Sequence, residues 1–521
     1  MAAFYADVAA MALLLFYVAV AAKYELQMLQ QNSYRVRRYW KWLRGDLMSM
    51  RRLIDLLILG VLLVWGANPV VAVLAGVAMA ARALALLRRK YKKPLVFTAR
   101  ARRLYATAVA LTVGSTVPVL FTADADTAVV VAALWCVLPC VAMILATWLN
   151  MPVDRAMSRW YYNDAKRILA GMPGLVIVGI TGSYGKTSTK HYLYRILSER
   201  YNVLMTPGSF NTTLGVIRTI REQLKSYHEV FIVERGAKQI GDIREICGLV
   251  HPRIGIITAV GEQHLESFKT IENVQRTKFE LIDALPADGV AILNNDFEYI
   301  ANRPVGNVER VVRYGVEHAQ ADYRVEDIRY GASETMFTVV GGGERVALTT
   351  RLVGSCNLSN LLAGYIAARQ LGMTEREIAL GAARIEQVEH RLSVKRTPGG
   401  ITIIDDAFNS NPHGAKMALD VLKGFEAAQR VLVTPGLIEL GTKQYAYNHR
   451  FGVQAASSCD YAIVVGKYNG EAIEAGLKEG GMEPGRIYRA LTFTEATVQV
   501  GKIVRKGDVV LYENDLPDTF K

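Results

Sequence analysis

Residues 175–190, LVIVGITGSYGKTSTK, decide the fold of the soluble part of this 521-residue chain. Leu175–Ile180 is apolar and rich in β-branched residues, which is typical of a buried strand. A glycine turn follows, and a helical pattern runs from Lys186 to Arg200. Strand, glycine turn and helix in this order form a loop whose backbone N–H groups and helix N-terminus bind phosphate.

The two residues after the second glycine have predicted roles in binding a nucleotide. Lys186 would reach the β- and γ-phosphates of a nucleotide, and Thr187 would hold Mg²⁺. The other predicted nucleotide contacts are Gly182, Ser183, Gly185 and Ser188. Only two residues separate the glycines, fewer than in the common G-x4-GK[ST] form. A purely structural glycine turn is the alternative, and the Lys-Thr pair argues against it.

The apolar residues are concentrated in the first 150 positions, although the whole chain is 51% hydrophobic with a mean hydropathy of +0.17. We predict an α-helical membrane bundle of about five spans there. The candidate segments are 3–22, 53–66, 70–87, 104–121 and 127–149. The second and third are joined by the turn signal GANP at 66–69, and a re-entrant pair is the alternative for them.

The net charge of +13 comes from two loops of this bundle. Residues 23–52 carry eight Lys/Arg and two acids, and residues 88–103 carry eight Lys/Arg and no acid. Cytoplasmic loops of membrane proteins are enriched in these cations. We therefore predict a multi-pass protein of the cell membrane with its N-terminus outside, and with everything after residue 150 in the cytoplasm. A nucleic-acid partner is not expected, because the rest of the chain is near neutral.

Four domains follow from these patterns. Residues 1–150 form the membrane bundle, and residues 151–173 form an amphipathic connector whose aromatic residues Trp160, Tyr161 and Tyr162 would lie at the membrane surface. Residues 174–388 form a central α/β ATP-binding domain around the phosphate loop. Residues 389–521 form a Rossmann-like α/β domain, because strands and helices alternate there with glycine turns. The five cysteines have neither zinc-site spacing nor a disulfide framework.

Four further stretches follow the phosphate loop, and each is weak alone. They are SFNTTLG at 209–215, VFIVERGA at 230–237, the run from Ile254 to Phe268 containing HLESF, and RTKFE at 276–280. In this order they resemble the Mur ligase family of ATP-dependent amide-forming enzymes, and within it the D-alanyl-D-alanine-adding branch. The short TGSxGKT form of the loop matches the same family.

The resemblance implies a site with two Mg²⁺ ions. Thr187 and the strand-end Glu234 would hold one ion. His264 and Lys278 would hold the other, with Lys278 carrying a carbamate and so acting as an anionic oxygen ligand. Asn211, Thr212 and Thr213 would contact the substrate.

The same resemblance extends into the C-terminal part. The stretch GSCNLSN at 354–360 matches the adenine-side motif and assigns Asn357 and Asn360, although Cys356 stands where His is usual. EHRL at 389–392 matches the hinge whose Arg391 meets the phosphates. DDAFNSNP at 405–412 has Phe408 for the family's Tyr, and GLIELG at 436–441 matches a later loop. By match, Asp406 would meet the ribose, and Asn409 and Asn411 would lie near the amine.

The implied reaction is ATP-dependent amide formation in cell-envelope assembly. A carboxylate becomes an acyl phosphate, and the amine of an amino acid or dipeptide displaces phosphate. Lys186, Asn211, His264, Lys278 and Arg391 form the expected catalytic set, and ATP and Mg²⁺ are the expected cofactors. The membrane bundle stands where the family has a UDP-binding domain, which raises the possibility of a lipid-linked acceptor or a membrane-associated poly-γ-amino-acid polymer.

Two other classes of function stay open. An ATP-driven transporter could use the five spans, but Asp55 and Arg82 are the only obvious ionisable residues in them, and a substrate path usually needs more. A nucleotide-binding scaffold without turnover is the other class. The set of Lys186, Glu234, His264 and Lys278 argues against that scaffold.

Overall fold

The computed structural model describes residues 2–46, 49–65, 68–89, 91, 94–122, 125–208, 210–237, 239–262, 265–316, 318, 320–330, 334–408 and 410–515. The described chain divides into two compact units, one ending at residue 159 and one beginning at residue 160. The first unit is helical, and the second is an α/β structure built on two sheets.

The first unit contains seven helices and most of an eighth among its described residues. Their bounds are α1 Ala2–Gln31, α2 Val36–Asp46, α3 Met50–Trp65, α4 Pro69–Arg88, α5 Ala99–Thr116, α6 Val119–Thr122, α7 Ala125–Val137 and α8 Pro139–Ala170. Apolar side chains of α1, α3, α4 and α7 form one core, and Leu14, Leu62, Met79 and Val129 lie within it.

Three stretches in the described part of this unit are long and apolar enough to cross a membrane, namely Phe4–Gln31, Pro69–Arg88 and Ala99–Thr122. A fourth is possible if α7 and α8 form one span, although they are bent by 81° at the break between them. The sequence predicted five spans. The difference has two causes: α3 has only 16 residues, and the chain bends immediately before Pro139 within the predicted span 127–149.

The two ionisable residues singled out in the predicted spans are paired with each other. Arg82 Nη2 lies 2.7 Å from Asp55 Oδ1, and the Tyr17 hydroxyl donates to both Asp55 carboxylate oxygens at 2.9 Å. Side chains that are satisfied within the helical unit need no transported substrate to explain them. This pairing gives no support to the transporter alternative.

The predicted connector lies within a long helix whose residues from Trp160 onward belong to the second unit. Helix α8 runs through the predicted boundary at residue 150 with Pro152 inside it. Tyr161, Tyr162 and Ile168 pack against a cluster that contains Ile217. An apolar helix face has the same pattern whether it meets lipid or protein, and these three side chains meet protein. The position of Trp160 at a membrane surface stays a prediction.

The second unit begins with a nine-stranded sheet in the order β2-β3-β1-β4-β5-β6-β7-β8-β9, counted over the described residues. Strands β2 to β7 pair in parallel, and β8 and β9 extend the sheet in an antiparallel manner. The bounds are β1 Val176–Thr181, β2 Val203–Met205, β3 Val230–Glu234, β4 Ile254–Ile257, β5 Val290–Asn294, β6 Arg310–Gly315, β7 Tyr323–Tyr330, β8 Thr335–Gly341 and β9 Glu344–Thr350.

Helices cover both faces of this sheet, as parallel strands require. The helices are α9 Lys186–Leu197, α10 Thr213–Gln223, α11 Asp242–Val250, α12 Leu265–Phe268, α13 Ile271–Asp283, α14 Glu298–Ala301, α15 Ser355–Gln370 and α16 Glu375–Ala383. Helices α9 and α15 pack on one face, where Ile180, Leu193 and Leu362 are fully buried. Strands β1, β3 and β4 are adjacent, so their carboxyl ends meet at one edge, where ligands bind in such sheets.

The C-terminal sheet has six strands in the described residues, in the order β10-β11-β15-β12-β13-β14. Only β10 is antiparallel to its neighbour. The elements are β10 Ser393–Arg396, β11 Thr402–Asp406, α17 Pro412–Gly424, β12 Arg430–Thr434, α18 Gln444–Ala456, β13 Tyr461–Val465, α19 Gly470–Glu479, β14 Ile487–Ala490, α20 Phe493–Ile503 and β15 Val509–Glu513. The predicted Rossmann-like alternation is therefore present.

Candidate active site

The phosphate loop connects β1 to α9, as the sequence predicted. Gly185 stands immediately before the helix with φ +80°, a left-handed conformation that favours glycine. A Cβ atom at this position would collide with the Asn360 side chain. Both the backbone conformation and the close approach of α15 therefore require glycine here.

The loop is attached to the segment that follows β4. Ser183 N–H donates to Ala259 O at 2.8 Å, and Ser183 Oγ exchanges hydrogen bonds of 3.0 and 3.1 Å with the backbone of Gly261. The Thr258 hydroxyl donates to Tyr184 O. These bonds hold the turn open around the N-terminus of α9, where free N–H groups can receive an anion.

Lys186 is folded back onto its own loop. Its ammonium donates to Gly182 O at 2.6 Å and to Ser183 O at 3.1 Å. Burial lowers the pKa of Lys186 to about 8, and the Glu234 carboxylate opposes that change. Phosphate oxygens could replace the two carbonyl partners without moving the helix.

Glu234 ends β3 beside the loop and is almost completely buried. Its Oε1 atom accepts from the Thr187 hydroxyl at 3.1 Å and from Asn211 Nδ2 at 3.3 Å. Lys190 Nζ lies 2.9 Å from Oε2. Burial raises the pKa of Glu234, but the charges of Lys190 and Lys186 outweigh it, so the pKa lies below its usual range.

This pair of oxygens fits one predicted Mg²⁺ site. The Thr187 hydroxyl and the Glu234 carboxylate converge within 3.1 Å, and both are the hard oxygen donors that Mg²⁺ prefers. Within the described residues, no group of three His, Cys, Asp or Glu side chains could hold a metal by itself. The arrangement suits an ion that takes its other ligands from phosphate and water.

Lys278 lies on α13 in a buried position, with 2% of its surface exposed. Burial and the nearby charge of Lys186 lower its pKa well below the usual range, although Asp242 and Glu280 oppose this. Glu280 accepts from the N–H groups of Gly241 and Arg244 at 2.7 and 3.0 Å. The pairing of Lys278 with His264 at a second metal ion stays a prediction, because His264 lies outside the described residues.

The two asparagines assigned to the adenine side contact α9. Asn360 Oδ1 accepts from the Thr189 hydroxyl at 3.1 Å, and Asn357 Oδ1 accepts from the Tyr192 hydroxyl at 2.8 Å. Both side chains line the same cleft as the phosphate loop. They fix α15 against the nucleotide helix while facing the place predicted for a nucleotide.

The C-terminal domain supplies the opposite wall. Arg391 donates to Phe408 O at 2.9 Å, and its guanidinium lies 4.7 Å from the centre of the Phe408 ring. Asp406 accepts from Leu392 N–H at 3.0 Å. Burial lowers the pKa of Arg391 and raises the pKa of Asp406 to about 6, while their mutual attraction opposes both shifts.

Three aromatic rings join the two domains at the phosphate loop. The Tyr184 ring is stacked on the His413 ring of α17, with centroids 5.4 Å apart and an interplanar angle of 12°. Phe297 contacts both rings, at 5.7 Å from Tyr184 and 5.2 Å from His413. An exposed ion pair of 2.7 Å between Lys443 and Glu262 lies between the same two domains. The C-terminal domain therefore contacts the loop directly.

One cleft unites most of the predicted residues. Its volume is about 890 Å³ including space open to solvent, and its lining includes the predicted residues Ser183, Gly185, Lys186, Thr187, Ser188, Glu234, Asn357, Asn360, Arg391, Asp406 and Asn411. Asn211 does not line the cleft itself, but its side chain donates to Glu234, which does. Asn409 is outside the described residues. Thr212 caps α10, its hydroxyl accepting from Gly215 N–H at 3.3 Å, and Thr213 is the first residue of that helix, so neither lines this cleft.

Sequence reasoning missed Lys190 and the ring pair of Tyr184 and His413. Lys190 is four residues after Lys186, which places both lysines on one face of α9. This spacing was the available signal for a second cation at the site. No comparable signal pointed to His413, because its partner is more than 200 positions away in the chain.

Comparison with known proteins gives matches in the second unit. Residues 180–368 match the model described as the Mur ligase middle domain, and residues 390–512 match the model described as the Mur ligase glutamate ligase domain. A UDP-N-acetylmuramoyl-tripeptide–D-alanyl-D-alanine ligase of Bacillus subtilis is 27% identical over 65% of this chain and 73% of its own length. The ligase of the same name from Mycobacterium leprae is 30% identical over 67% and 72%.

A solved structure shares the fold. The MurF ligase from Thermotoga maritima, in complex with ADP, is 25% identical and aligns over 68% of this chain and 80% of its own, with a TM-score of 0.62. The aligned share of the chain corresponds in size to the two α/β domains.

Proposed function

Because this chain belongs to the Mur ligase family, whose members are ATP- and Mg²⁺-dependent amide ligases, we propose that it joins a dipeptide amine to a peptide carboxylate in cell-envelope assembly. The relatives' names support a D-alanyl-D-alanine-type amine and a muramoyl-tripeptide-type acceptor. One observation carries the proposal: Lys186, Glu234 and Arg391 face a single cleft. We also propose 174–388 and 389–521 as its two ligase domains.

The first step is transfer of the γ-phosphoryl group. An acceptor carboxylate oxygen forms a bond to the γ-phosphorus, the bond to the β-phosphate oxygen breaks, and ADP leaves. Such a transfer needs positioning and charge neutralisation more than a protein nucleophile. The N–H groups at Gly185 and Lys186, the Lys186 ammonium and the Arg391 guanidinium would supply both.

The predicted Mg²⁺ would be held by Thr187 and Glu234. The ion would neutralise charge on the phosphates when it is bound. Asn211 and Lys190 keep the Glu234 carboxylate in place from the other side. Asp406 would accept from the ribose hydroxyls, and Asn357 and Asn360 would face the base.

The second step forms the amide. The amine nitrogen attacks the acyl carbon, the bond to the phosphate oxygen breaks, and the amine loses a proton. We propose Asn409 and Asn411 near the incoming amine. Asn411 is buried at the N-terminus of α17, where its side-chain oxygen accepts from Gly414 N–H at 2.9 Å, so its position is fixed.

We further propose that Lys278 carries a carbamate and, with His264, holds a second Mg²⁺. Burial favours the neutral amine of Lys278, which adds to CO₂ and loses a proton, and the nearby Lys186 charge then favours the resulting carbamate anion. Intact-protein and peptide mass measurements at high bicarbonate test this modification. An unmodified Lys278 peptide under conditions that preserve carbamates would contradict it.

The decisive experiment measures phosphate release by the full chain in detergent with ATP and Mg²⁺. UDP-linked muramoyl-tripeptide and D-alanyl-D-alanine are supplied together and separately, and the product is identified by mass. We expect release only when both are present, and Lys186→Ala abolishes it. Phosphate release that needs neither substrate would contradict the ligase reaction.

A membrane-associated acceptor is a second candidate, and the three membrane-length helices of the first unit favour it. In this version the protein lies in the cell membrane with its ligase domains in the cytoplasm. The acceptor is then a lipid-linked peptide or an envelope polymer such as a poly-γ-amino acid. The same assay in lipid nanodiscs with lipid-linked and UDP-linked acceptors separates the two. Extension of the UDP-linked acceptor alone would exclude the membrane-associated version.

A further inference from the structure

Two carboxylic acids end neighbouring strands of the C-terminal sheet. Strands β11 and β15 are parallel, and their register places Asp406 beside Glu513. Asp406 lines the cleft, whereas Glu513 lies behind it with no exposed surface. Nothing in the proposed reaction uses Glu513.

The hydrogen bonds of Glu513 leave one oxygen without a donor. The Ser410 hydroxyl donates to Oε1, and no donor among the described residues reaches Oε2. The register of β15 against β11 places the carboxyl group of Asp406 beside it. Glu513 is fully buried, and a buried carboxylate beside a second carboxylate is disfavoured in its ionised form, so a proton on one of the pair is favoured.

The surroundings place that proton on Glu513. Asp406 has the Arg391 charge nearby and accepts from Leu392 N–H at 3.0 Å, and both favour its ionised form. Glu513 has no ion pair with a cation in the described part of the chain, and burial together with the negative charge of Asp406 raises its pKa well above the usual range. Of the two acids, Glu513 is therefore the one whose protonated form the surroundings favour.

We propose that Glu513 is a positioning residue that, as a neutral acid, donates a hydrogen bond to the Asp406 carboxylate and holds it towards the nucleotide. This inference rests on the proposed contact between Asp406 and the ribose. A ribose hydroxyl can donate to the Asp406 carboxylate only if that carboxylate faces the cleft and is ionised.

The next residue fixes the same strand end. Asn514 has φ +66°, its N–H donates to Asp406 O at 3.1 Å, and its side-chain oxygen accepts from Ser410 N–H at 3.3 Å. Its amide also donates to Gly436 O at 2.5 Å. Glu513 and Asn514 together bind the start of the loop that contains Asn411, so the position of Asp406 depends on β15.

The experiment compares Glu513→Gln with Glu513→Leu in the full chain in detergent, with binding of MgADP measured by calorimetry from pH 5 to 8. The amide of the Gln variant can donate to Asp406 and accept from Ser410, so we expect its affinity within about 3-fold of the parent. The Leu variant cannot donate, and we expect a loss of about 10-fold, as for one charge-assisted hydrogen bond.

The pH profile separates positioning from mere folding. Binding of MgADP should weaken at low pH, where Asp406 becomes protonated; we call this part of the profile the acid limb. Glu513→Leu removes the donor that stabilises the Asp406 carboxylate, so its acid limb should move to higher pH. In Glu513→Gln the acid limb should stay at the parental pH. Equal losses in both variants, or a displaced acid limb in Glu513→Gln, would overturn the inference. If Glu513→Leu does not fold, the Gln variant decides alone: a loss of more than about 3-fold, or a displaced acid limb, overturns the inference.

Two control variants distinguish a wrong role for Glu513 from a wrong assignment of the ribose contact to Asp406. Glu483→Gln changes an exposed glutamate that lies 3.5 Å from Arg486, and we expect parental binding. Asp406→Asn removes the proposed ribose contact. If Asp406→Asn binds MgADP as the parent does, the proposed ribose contact is wrong. If it weakens binding but both Glu513 variants do not, only the role of Glu513 is wrong.

Discussion

Lys190 Nζ lies 2.9 Å from Glu234 Oε2, and both side chains are at most 1% exposed. The same ammonium donates to Gly208 O. Lys190 therefore connects the carboxylate predicted to bind Mg²⁺ with the segment that leads to the predicted substrate contacts at Asn211. A single buried cation joins two parts of the site that the chain places more than 25 positions apart.

Lys190→Met should destabilise the second unit strongly. It leaves the Glu234 carboxylate buried without its partner, and breaking a buried pair in this way costs about 3–5 kcal/mol. Chemical denaturation of the full chain in detergent measures the free energy of unfolding. Lys478→Met breaks an exposed pair with Glu474, and the expected cost is about 0–1 kcal/mol. Equal costs for the two variants would show that the buried pair does not stabilise the fold.

The KM for ATP should rise as the pH falls below 6. The pKa of Asp406 is raised to about 6, so its carboxylate becomes protonated in this range and can no longer accept from the ribose. The charged or titratable groups facing it are Arg391, Asp405, Glu513 and Cys356. Between pH 7 and pH 5 we expect an increase of about 10-fold, if only the ionised form binds.

Asp406→Asn is the control for this pH dependence. The amide does not titrate, so its KM for ATP should be raised but flat across the same pH range. A parental acid limb that persists in Asp406→Asn would assign the titration to another group.

His413→Ala should weaken the contact between the C-terminal domain and the phosphate loop. Stacked ring pairs contribute about 0.5–1.5 kcal/mol, so kcat/KM for ATP should fall by about 2- to 10-fold. His449→Ala is the matched control, because His449 stacks on Tyr445 at 6.1 Å and neither residue lines the cleft. Equal effects of the two variants would show that the stack at Tyr184 has no special part in catalysis.

Arg391→Ala should lower kcat more than it raises the KM. The guanidinium lines the cleft and, in the proposed reaction, would stabilise the negative charge that develops on the phosphates; removing one such donor costs about 100- to 1,000-fold in kcat. Arg391→Lys keeps the charge but loses the planar fork, so an intermediate loss is expected. Arg450→Lys, at an arginine over the Tyr447 ring, should leave the rate unchanged. A parental kcat in Arg391→Ala would exclude a part in phosphoryl transfer.

Two kinds of feature could be predicted from the sequence: elements encoded in one continuous stretch, and side chains at the ends of neighbouring parallel strands. The run from Leu175 to Arg200 contained its own strand, turn and helix, and Glu234 ends a parallel strand beside β1. The carboxyl ends of such strands meet, so the central site followed from the order of motifs. Asp406 and Arg391 entered through a family resemblance, and the structure places both in the same cleft.

The features that were not predicted depend on three-dimensional contacts and bends that no local sequence pattern reveals. The apolar run 127–149 has the composition of one span, but the break at Leu138 turns the chain by 81°. Glu513 was not assigned any role, because only the register of β15 against β11 brings it to Asp406. Periodicity shows that a residue is buried, and it does not show which side chain the residue meets.

The attachments of the phosphate loop also limit how it can evolve. Position 261 requires glycine, because a Cβ atom there would collide with the Tyr184 hydroxyl. Position 185 requires glycine in the same way, because a Cβ atom would collide with Asn360. Tyr184 in turn has His413 as its stacking partner. A substitution at position 184 therefore changes what is tolerated at 261 and 413. The phosphate loop therefore cannot be replaced without changes elsewhere in the chain. Positions 184, 261 and 413 should change together among homologues.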